Sequence, residues 1–394
     1  MEPREIKRGI YFVGAVDWDR RLFDSLIPLP DGTSYNSYII KGSEKTALID
    51  TVDPTMEQVL VSHLDELNIK RLDYLVANHA EQDHSGSIPR ILQRYPEAKL
   101  VCTPRCKGML IDLLLVAEDR FITVEDKEAI SLGDRTLEFV HAPWVHWPET
   151  MLTYLREEKI LFSCDFFGSH LATSNLYVPD EGQVYEAAKR YYAEIMMPFR
   201  TNIQKNLEKI KDYPIAIIAP SHGPMYDKPD FIIKAYRDWA FCEPKNIVVL
   251  PYISMHGSTR TMVAFFIEAL TQRGVTVKQF DLTVADIGKL AMALVDAATI
   301  IIGTPTVHAG PHPGAAYAAS LANMVRANAK FASIIGSYGW GGKTVEQLVA
   351  MIPNLKVELL PTVIVKGYPR KADFEALDSL AETIARKHKE QGFT

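Results

Sequence analysis

Short apolar runs separated by Gly, Pro and Asp mark the first part of the chain. Ile10-Tyr-Phe-Val-Gly14, Asn36-Ser-Tyr-Ile-Ile40 and Lys45-Thr-Ala-Leu-Ile-Asp50 read as strands, with turns such as Pro30-Asp-Gly-Thr33 between them. The pattern predicts a helix near Glu57–Leu67 and a buried strand over Leu72–Ala77. The end of that strand delivers Asn78-His-Ala-Glu-Gln-Asp-His-Ser-Gly86 into a loop, the usual place for a site in an α/β sheet. Further strands are expected at Lys99–Cys102, Thr136–Val140, Met151–Tyr154 and Ile160–Ser163, and helices over Gln183–Met196 and Phe231–Phe241. This order predicts a layered α/β arrangement rather than a single parallel sheet.

The second part is more regular. Asn246–Leu250, Val275–Phe280, Ala298–Gly303, Phe331–Ile335 and Val363–Val365 read as strands. Helical patterns occupy Ser258–Arg273, Ala315–Arg326, Thr344–Met351 with Thr344 as N-cap, and Lys371–Glu390. Such alternation predicts a doubly wound parallel sheet. Two domains are expected, 1–243 and 246–394, joined near Cys242-Glu-Pro-Lys245. No internal repeat or low-complexity tract is visible.

Composition narrows the class. The 394 residues suffice for two or three domains, and 47% hydrophobic with 23% charged residues is a soluble, globular balance. A net charge of -6 without a basic cluster argues against nucleic acid as partner. The longest apolar runs, such as Ile215–Ala219, are too short to span a bilayer, so no membrane partner is expected. The charged N-terminus lacks a signal-peptide core, and four cysteines without a Cys-x-x-Cys pair make no disulfide framework or rubredoxin-type site. A cytoplasmic setting is the expectation.

Four clusters carry metal-competent side chains: His79-x-Glu81-x-Asp83-His84, His146 in Val145-His-Trp-Pro148, Asp165 in Cys164-Asp-Phe-Phe-Gly168, and His222 in Pro220-Ser-His-Gly223. A lone histidine is more often a core or surface residue than a ligand. Two histidines and two carboxylates within six residues are different, because burying them without a cation is costly. In an extended loop alternate residues point one way, so His79, Glu81 and Asp83 can converge, with His84 reaching a second centre. His170 has no such company and reads as a supporting or structural residue.

These motifs resemble the metallo-β-lactamase fold, whose hydrolases hold two zinc ions with His-x-His-x-Asp-His. Here Glu81 replaces the second histidine. Four imidazoles and three carboxylates facing two divalent cations leave a site of about +1, and this mixed shell favours redox iron over zinc. An Asp165 bridge would hold two metals about 3.5–4 Å apart.

A second signal lies further on. Strand Asn246–Leu250 runs into Ser254-Met-His-Gly-Ser-Thr259 and then a helix, a hydroxyl- and glycine-rich anion cradle. It resembles the FMN-phosphate loop of flavodoxins, in which Ser254, Met255, His256, Gly257, Ser258 and Thr259 would bind the cofactor. Thr304-Pro-Thr-Val-His-Ala-Gly310 and Ser337-Tyr-Gly-Trp-Gly-Gly342 follow later strands. The resemblance places Thr304, Pro305, Thr306, Val307, His308 and Ala309, and then Ser337, Tyr338, Gly339 and Trp340, beside the flavin ring.

Together the two parts resemble the flavodiiron proteins (A-type flavoproteins) of the minimal two-domain class. Asp17-Trp-Asp19, Gly32-Thr-Ser-Tyr-Asn36, Asp73-Tyr-Leu75 and Gly336-Ser-Tyr-Gly-Trp340 contribute to the match. The implied architecture is an N-terminal metallo-β-lactamase-like αββα sandwich and a C-terminal flavodoxin-like doubly wound parallel sheet. The implied activity is reduction of dioxygen to water, of nitric oxide to nitrous oxide, or both. Its cofactors are FMN and two non-haem, oxygen-bridged iron ions. By the resemblance His79, Glu81 and His146 hold one iron, Asp83, His84 and His222 the other, and Asp165 bridges them. Glu81 and Asp165 are the residues expected at the centre of catalysis. Rubredoxin or reduced coenzyme F420 would donate electrons. A head-to-tail homodimer, or a tetramer of such dimers, would bring one subunit's flavin to its partner's irons near Trp147. Asp24 stands where several relatives carry His or Tyr. His308 and His312 would bear on donor docking. The competing reading is a binuclear zinc hydrolase carrying a flavodoxin module.

Overall fold

The computed structural model describes residues 2–393. It divides into two compact units, Met1–Tyr192 with Phe199–Ala240, and Ala193–Pro198 with Phe241–Thr394.

The first unit is built on two sheets. One runs Arg4–Lys7, Ile10–Phe12, Tyr38–Lys41, Thr46–Ile49, Tyr74–Val76, Lys99–Cys102 and Phe121–Thr123. The other runs Ala129–Ser131, Thr136–His141, Met151–Leu155, Ile160–Cys164 and Ile217–Pro220. Alternation along the strands sends one side chain set between the sheets. Ile10, Ile40, Ile49, Val76 and Val101 of the first sheet pack on Phe139, Met151, Ile160 and Phe162 of the second. The opposite set (Ile39, Leu48, Leu75, Leu100) packs under the helices Glu57–Glu66, Ile88–Arg94 and Pro104–Leu114. Each such buried Leu, Ile or Phe contributes roughly 1.5–3 kcal/mol. The result is the αββα sandwich expected from the resemblance.

Strand direction places the site. Thr46–Ile49, Tyr74–Val76 and Lys99–Cys102 are mutually parallel, as are Ile160–Cys164 and Ile217–Pro220. Antiparallel pairing through Met151–Leu155 turns Thr136–His141 the same way as Ile160–Cys164. The segments leaving these strands therefore emerge together, as strand-end loops do in open α/β folds. Asn78 stitches the two sheets there: its carbonyl accepts from Met151 N (2.9 Å) and its side-chain oxygen from Thr153 Oγ1 (2.7 Å).

The second unit has strand order Thr276–Asp281, Lys245–Tyr252, Ala297–Val307, Phe331–Tyr338, Val363–Lys366, all parallel. This is the flavodoxin-like 2-1-3-4-5 order, with its switch point between the first and third strands.

Several sequence expectations need correction. Gln82–Ser85 is a short helix, not extended loop, because His84 N and Ser85 N turn back onto Glu81 O. Thr344 is the first residue of its helix rather than the cap. The cap is Lys343, and the Thr344 hydroxyl meets Thr306 Oγ1 at 2.8 Å. The helix from Glu181 ends as an α-helix at Tyr191. Thr304–Val307 belongs to a strand that pairs back on Gly310–Pro311, with His308 and Ala309 both at positive φ in the hairpin turn. Helices at Pro104–Leu114, Arg200–Ile210 and Ile287–Asp296 were not expected at all.

Candidate metal centre

His79 is presented by a clamped backbone. Asn78 N and Nδ2 both donate to the Asp50 carboxylate, at 2.7 and 2.9 Å, fixing the chain one residue upstream. Burial pushes the Asp50 carboxyl up to about 6. Extended backbone at Glu81 returns its side chain to the side of His79. The helical turn that follows places Asp83 and His84 on a second group. Thr51 N and Oγ1 hold the His84 carbonyl, and Ser85 Oγ holds Ala80 O.

His222 owes its position to the first strands. Asn36 Nδ2 donates to the carbonyls of Pro220 and Gly223, both at 2.8 Å, and Gly223 N donates to Ser34 Oγ. This gives the Gly32–Asn36 motif a physical role. Gly223 has φ +78°, and a Cβ there would lie 2.1 Å from Ser169 Oγ. The Nδ1–H of His222 donates to Ser34 O at 2.6 Å, leaving Nε2 to face the centre. His79 is held the same way, with Nδ1 2.7 Å from Glu149 Oε1.

The seven side chains converge in two groups: His79, Glu81, His146 and Asp165, and Asp83, His84 and His222. Asp165 spans them. Its Oδ2 lies 3.5 and 3.4 Å from the Nε2 atoms of His79 and His146; its Oδ1 lies 3.0 and 3.4 Å from those of His84 and His222. Tyr191 donates to the same Oδ1 at 2.9 Å.

The donor chemistry fits two cations. Both oxygens of Asp83 and Oδ2 of Asp165 are buried without a hydrogen-bond donor among the described residues. His222 Nε2 approaches Asp83 Oδ2 to 3.1 Å, but this geometry makes no hydrogen bond. His79 Nε2 meets Glu81 Oε2 at 3.2 Å and His84 Nε2 meets Asp165 Oδ1 at 3.0 Å, which leaves the Asp83 oxygens and Asp165 Oδ2 as the unsatisfied acceptors. Buried acceptors of this kind are satisfied by positive charge. Burial works against charge at His84 and His146, yet the neighbouring carboxylates win: each is pushed up to about 9, chiefly by Asp83 and Asp165 for the first and by Asp165 and Glu81 for the second. Asp165 itself lies well below its ordinary value despite burial, drawn down by His84 and His146.

Aromatic groups wall the centre. Trp147 packs edge-on to His79 at 4.9 Å, and Tyr35 and Phe23 lie 5.9 and 6.1 Å from His222. His170 sits 4.8 Å from the His222 ring with Nδ1 2.9 Å from Thr33 Oγ1, in a supporting position. Asp24 lies in an exposed hairpin turn in which it and Ser25 take positive φ. Partial burial, then the carboxylates of Glu81 and Asp83, push its carboxyl up to about 6. The residues that sequence reasoning missed are Tyr191, Glu149, Ser34 and Asp50. Only Glu149, three residues after His146, stands near a ligand motif.

In the second unit a cleft of about 320 Å³ opens at the strand ends. Ser254, Met255, His256, Ser258, Thr259, Pro305, Thr306, Ser337, Tyr338 and Gly339 line it, together with Gly367, which was not anticipated. Gly257, at φ +92°, caps the 15-residue helix Ser258–Gln272 without lining the cleft. Thr304, Val307, His308, Ala309 and Trp340 also do not line it. The Thr304 hydroxyl is used internally, accepting from His312 N and donating to Pro305 O. Among the described residues no helix is long and apolar enough to cross a membrane.

Residues 33–223 match the model of the ODP family beta lactamase. A nitric oxide reductase of Moorella thermoacetica is 36% identical over 98% of this chain and 99% of its own length. Among solved structures, the rubredoxin oxygen:oxidoreductase of Desulfovibrio gigas superposes with a TM-score of 0.95, 29% identity and complete coverage of both chains. The flavodiiron protein of Giardia intestinalis does so at 0.91, with 28% identity and 98% of each chain covered. Sequence, fold and converging ligand set agree, and the chain belongs to the flavodiiron (A-type flavoprotein) family of oxidoreductases.

Proposed function

We propose that this protein reduces dioxygen to water, nitric oxide to nitrous oxide, or both, with electrons passing from an external donor through FMN to two iron ions. Residues 1–243 form the iron-binding domain and 246–394 the FMN-binding domain. The observation that carries the reading is Asp165, whose two oxygens face two separate groups of histidines and carboxylates.

His79, Glu81 and His146 would hold one iron and Asp83, His84 and His222 the other, with Asp165 shared between them. When bound, the iron pair and reduced FMN supply the electrons the gas takes up. The chain's own residues do the rest. Glu81 supplies a hard oxygen donor where a zinc hydrolase carries histidine, which favours iron. Tyr191 keeps Asp165 oriented between the groups. Phe23, Tyr35 and Trp147 exclude bulk water, which strengthens every charge interaction inside. His84 is the least supported ligand: its Nδ1 is buried without a partner, unlike those of His79 and His222.

The cleft of the second unit would take FMN. Ser254–Thr259, at the N-terminus of the following helix, would hold its phosphate. Thr306, Ser337, Tyr338 and Gly367 would flank the ring. Rubredoxin or reduced F420 donates electrons. A head-to-tail homodimer, with twofold symmetry, brings the flavin of one subunit to the irons of the other.

Metal and flavin analysis of protein purified anaerobically tests the assignment. The expected result is two irons and one FMN per chain. Two zinc ions without iron would replace this reading with the hydrolase.

A further inference from the structure

His79 and His222 present Nε2 to the centre through hydrogen bonds from Nδ1, but their acceptors differ in kind. His222 meets a neutral backbone carbonyl, that of Ser34 at 2.6 Å. His79 meets the carboxylate of Glu149 at 2.7 Å, and both side chains are fully buried. The same Oε1 accepts from Ala80 N at 3.0 Å. One oxygen thus grips the ring of His79 and the backbone immediately after it.

Glu149 is itself fixed. Its carbonyl accepts from Thr103 Oγ1 at 3.0 Å, and that hydroxyl caps the helix Pro104–Leu114 by accepting from Cys106 N. Its neighbour Thr150 is tied back to Trp147: Oγ1 donates to Trp147 O at 3.2 Å. Trp147 in turn packs against the His79 ring. The carboxylate is therefore placed by a helix cap and a tight turn, neither of which contains a proposed ligand. A buried carboxylate has no solvent to neutralise it, and Oε2 has no donor among the described residues. Such a group is retained where its charge or its acceptor oxygen is used.

We infer that Glu149 is the positioning residue of the metal centre: its Oε1 accepts from Nδ1–H of His79 and fixes the ring plane, so that Nε2 is the nitrogen aimed at the metal. Carboxylate–histidine–metal relays of this kind typically change metal affinity 10–100-fold when broken. Glu149 touches no proposed metal or substrate position, so it acts through His79. The inference rests on the iron-binding reading given above.

Two variants separate acceptor from filler. Glu149→Gln keeps an amide oxygen able to accept from His79 Nδ1–H and Ala80 N–H. Glu149→Leu fills similar space and accepts nothing. Ferrous ion is titrated anaerobically into the metal-free forms, each shown folded by its circular dichroism spectrum and by retention of flavin. In parallel, nitrogen-15 histidine spectra of the metal-free wild type report an Nδ1–H on His79. The expected results are a 10–100-fold weaker ferrous affinity for Glu149→Leu and rescue to within about fivefold of wild type by Glu149→Gln. The downfield Nδ1–H resonance is lost in the Leu variant alone. If Glu149→Leu binds ferrous ion as wild type does, or His79 carries no proton on Nδ1 in the wild type, the inference is overturned. If the wild type binds no ferrous ion, the iron-binding reading fails instead. If Glu149→Leu does not fold, the tautomer seen in the wild type and the affinity of Glu149→Gln still decide.

Discussion

Tyr191 donates its hydroxyl proton to Oδ1 of Asp165 at 2.9 Å, from a fully buried position on a helix remote in sequence. A hydrogen bond to a charged acceptor contributes about 1.5–3 kcal/mol. Tyr191→Phe removes that donor and almost no volume. Oδ1 keeps its contact with His84 Nε2, so the centre survives with a less constrained bridge. The expected outcome is unchanged iron content with gas turnover lowered about tenfold. Iron analysis beside oxygen and nitric oxide consumption assays checks it, and unchanged turnover would remove Tyr191 from the account.

Glu81→His restores the His-x-His-x-Asp-His pattern of zinc hydrolases. It removes one of three carboxylates from the ligand set and adds a fifth imidazole, which favours zinc over iron. Protein produced with both metals available is expected to retain mainly zinc and to lose gas reduction. Elemental analysis of wild type and variant from the same medium decides it.

Gly223→Ala strikes the turn that presents His222. The backbone is left-handed there, and an added Cβ would overlap Ser169, including its carbonyl oxygen at 2.6 Å. The strain is about 2 kcal/mol or more. Loss of iron from the His222 side is expected before loss of fold. Chelator challenge followed by iron analysis would show the half-loaded form.

The second unit carries its own pH dependence. His388 is buried, with Nε2 2.7 Å from Thr299 Oγ1 and Nδ1 2.8 Å from Asn246 Oδ1, and burial lowers its pKa to about 4. The unfolded chain takes up a proton near pH 6.5 that the folded chain refuses until about pH 4. Stability from this group is therefore full above pH 6.5 and is lost as pH falls toward 4. Allowing for solvent screening, the loss by pH 5 is about 1–2 kcal/mol. Urea unfolding followed by flavin release at pH 7.5 and 5 should show it in wild type and not in His388→Gln.

The sequence exposed the scaffold of the site better than its supports. Strand ends are marked by apolar runs meeting polar motifs, which is why His79, His146, Asp165 and His222 could be picked out locally. Asp83 and His84 were expected in extended backbone, because four helical residues are too short to show a period. The helices Pro104–Leu114 and Ile287–Asp296 were passed over. The first opens with proline and carries a glycine, which read as punctuation rather than as helix. Tyr191, Ser34 and Asp50 act through partners distant along the chain, and no local pattern reveals such contacts. Thr304–Val307 was read as loop because a return strand of two residues, Gly310–Pro311, is too short to show an alternation.

The central claim is that the seven-residue centre passes electrons to a small gas. Stopped-flow mixing of the fully reduced, iron-loaded protein with oxygen and, separately, with nitric oxide tests it most directly. At least one gas is expected to reoxidise the flavin within a turnover, and His79→Ala, which retains FMN, is expected to abolish this fast phase. Flavin oxidation that is equally slow with both gases, or that is the same in His79→Ala, would contradict it.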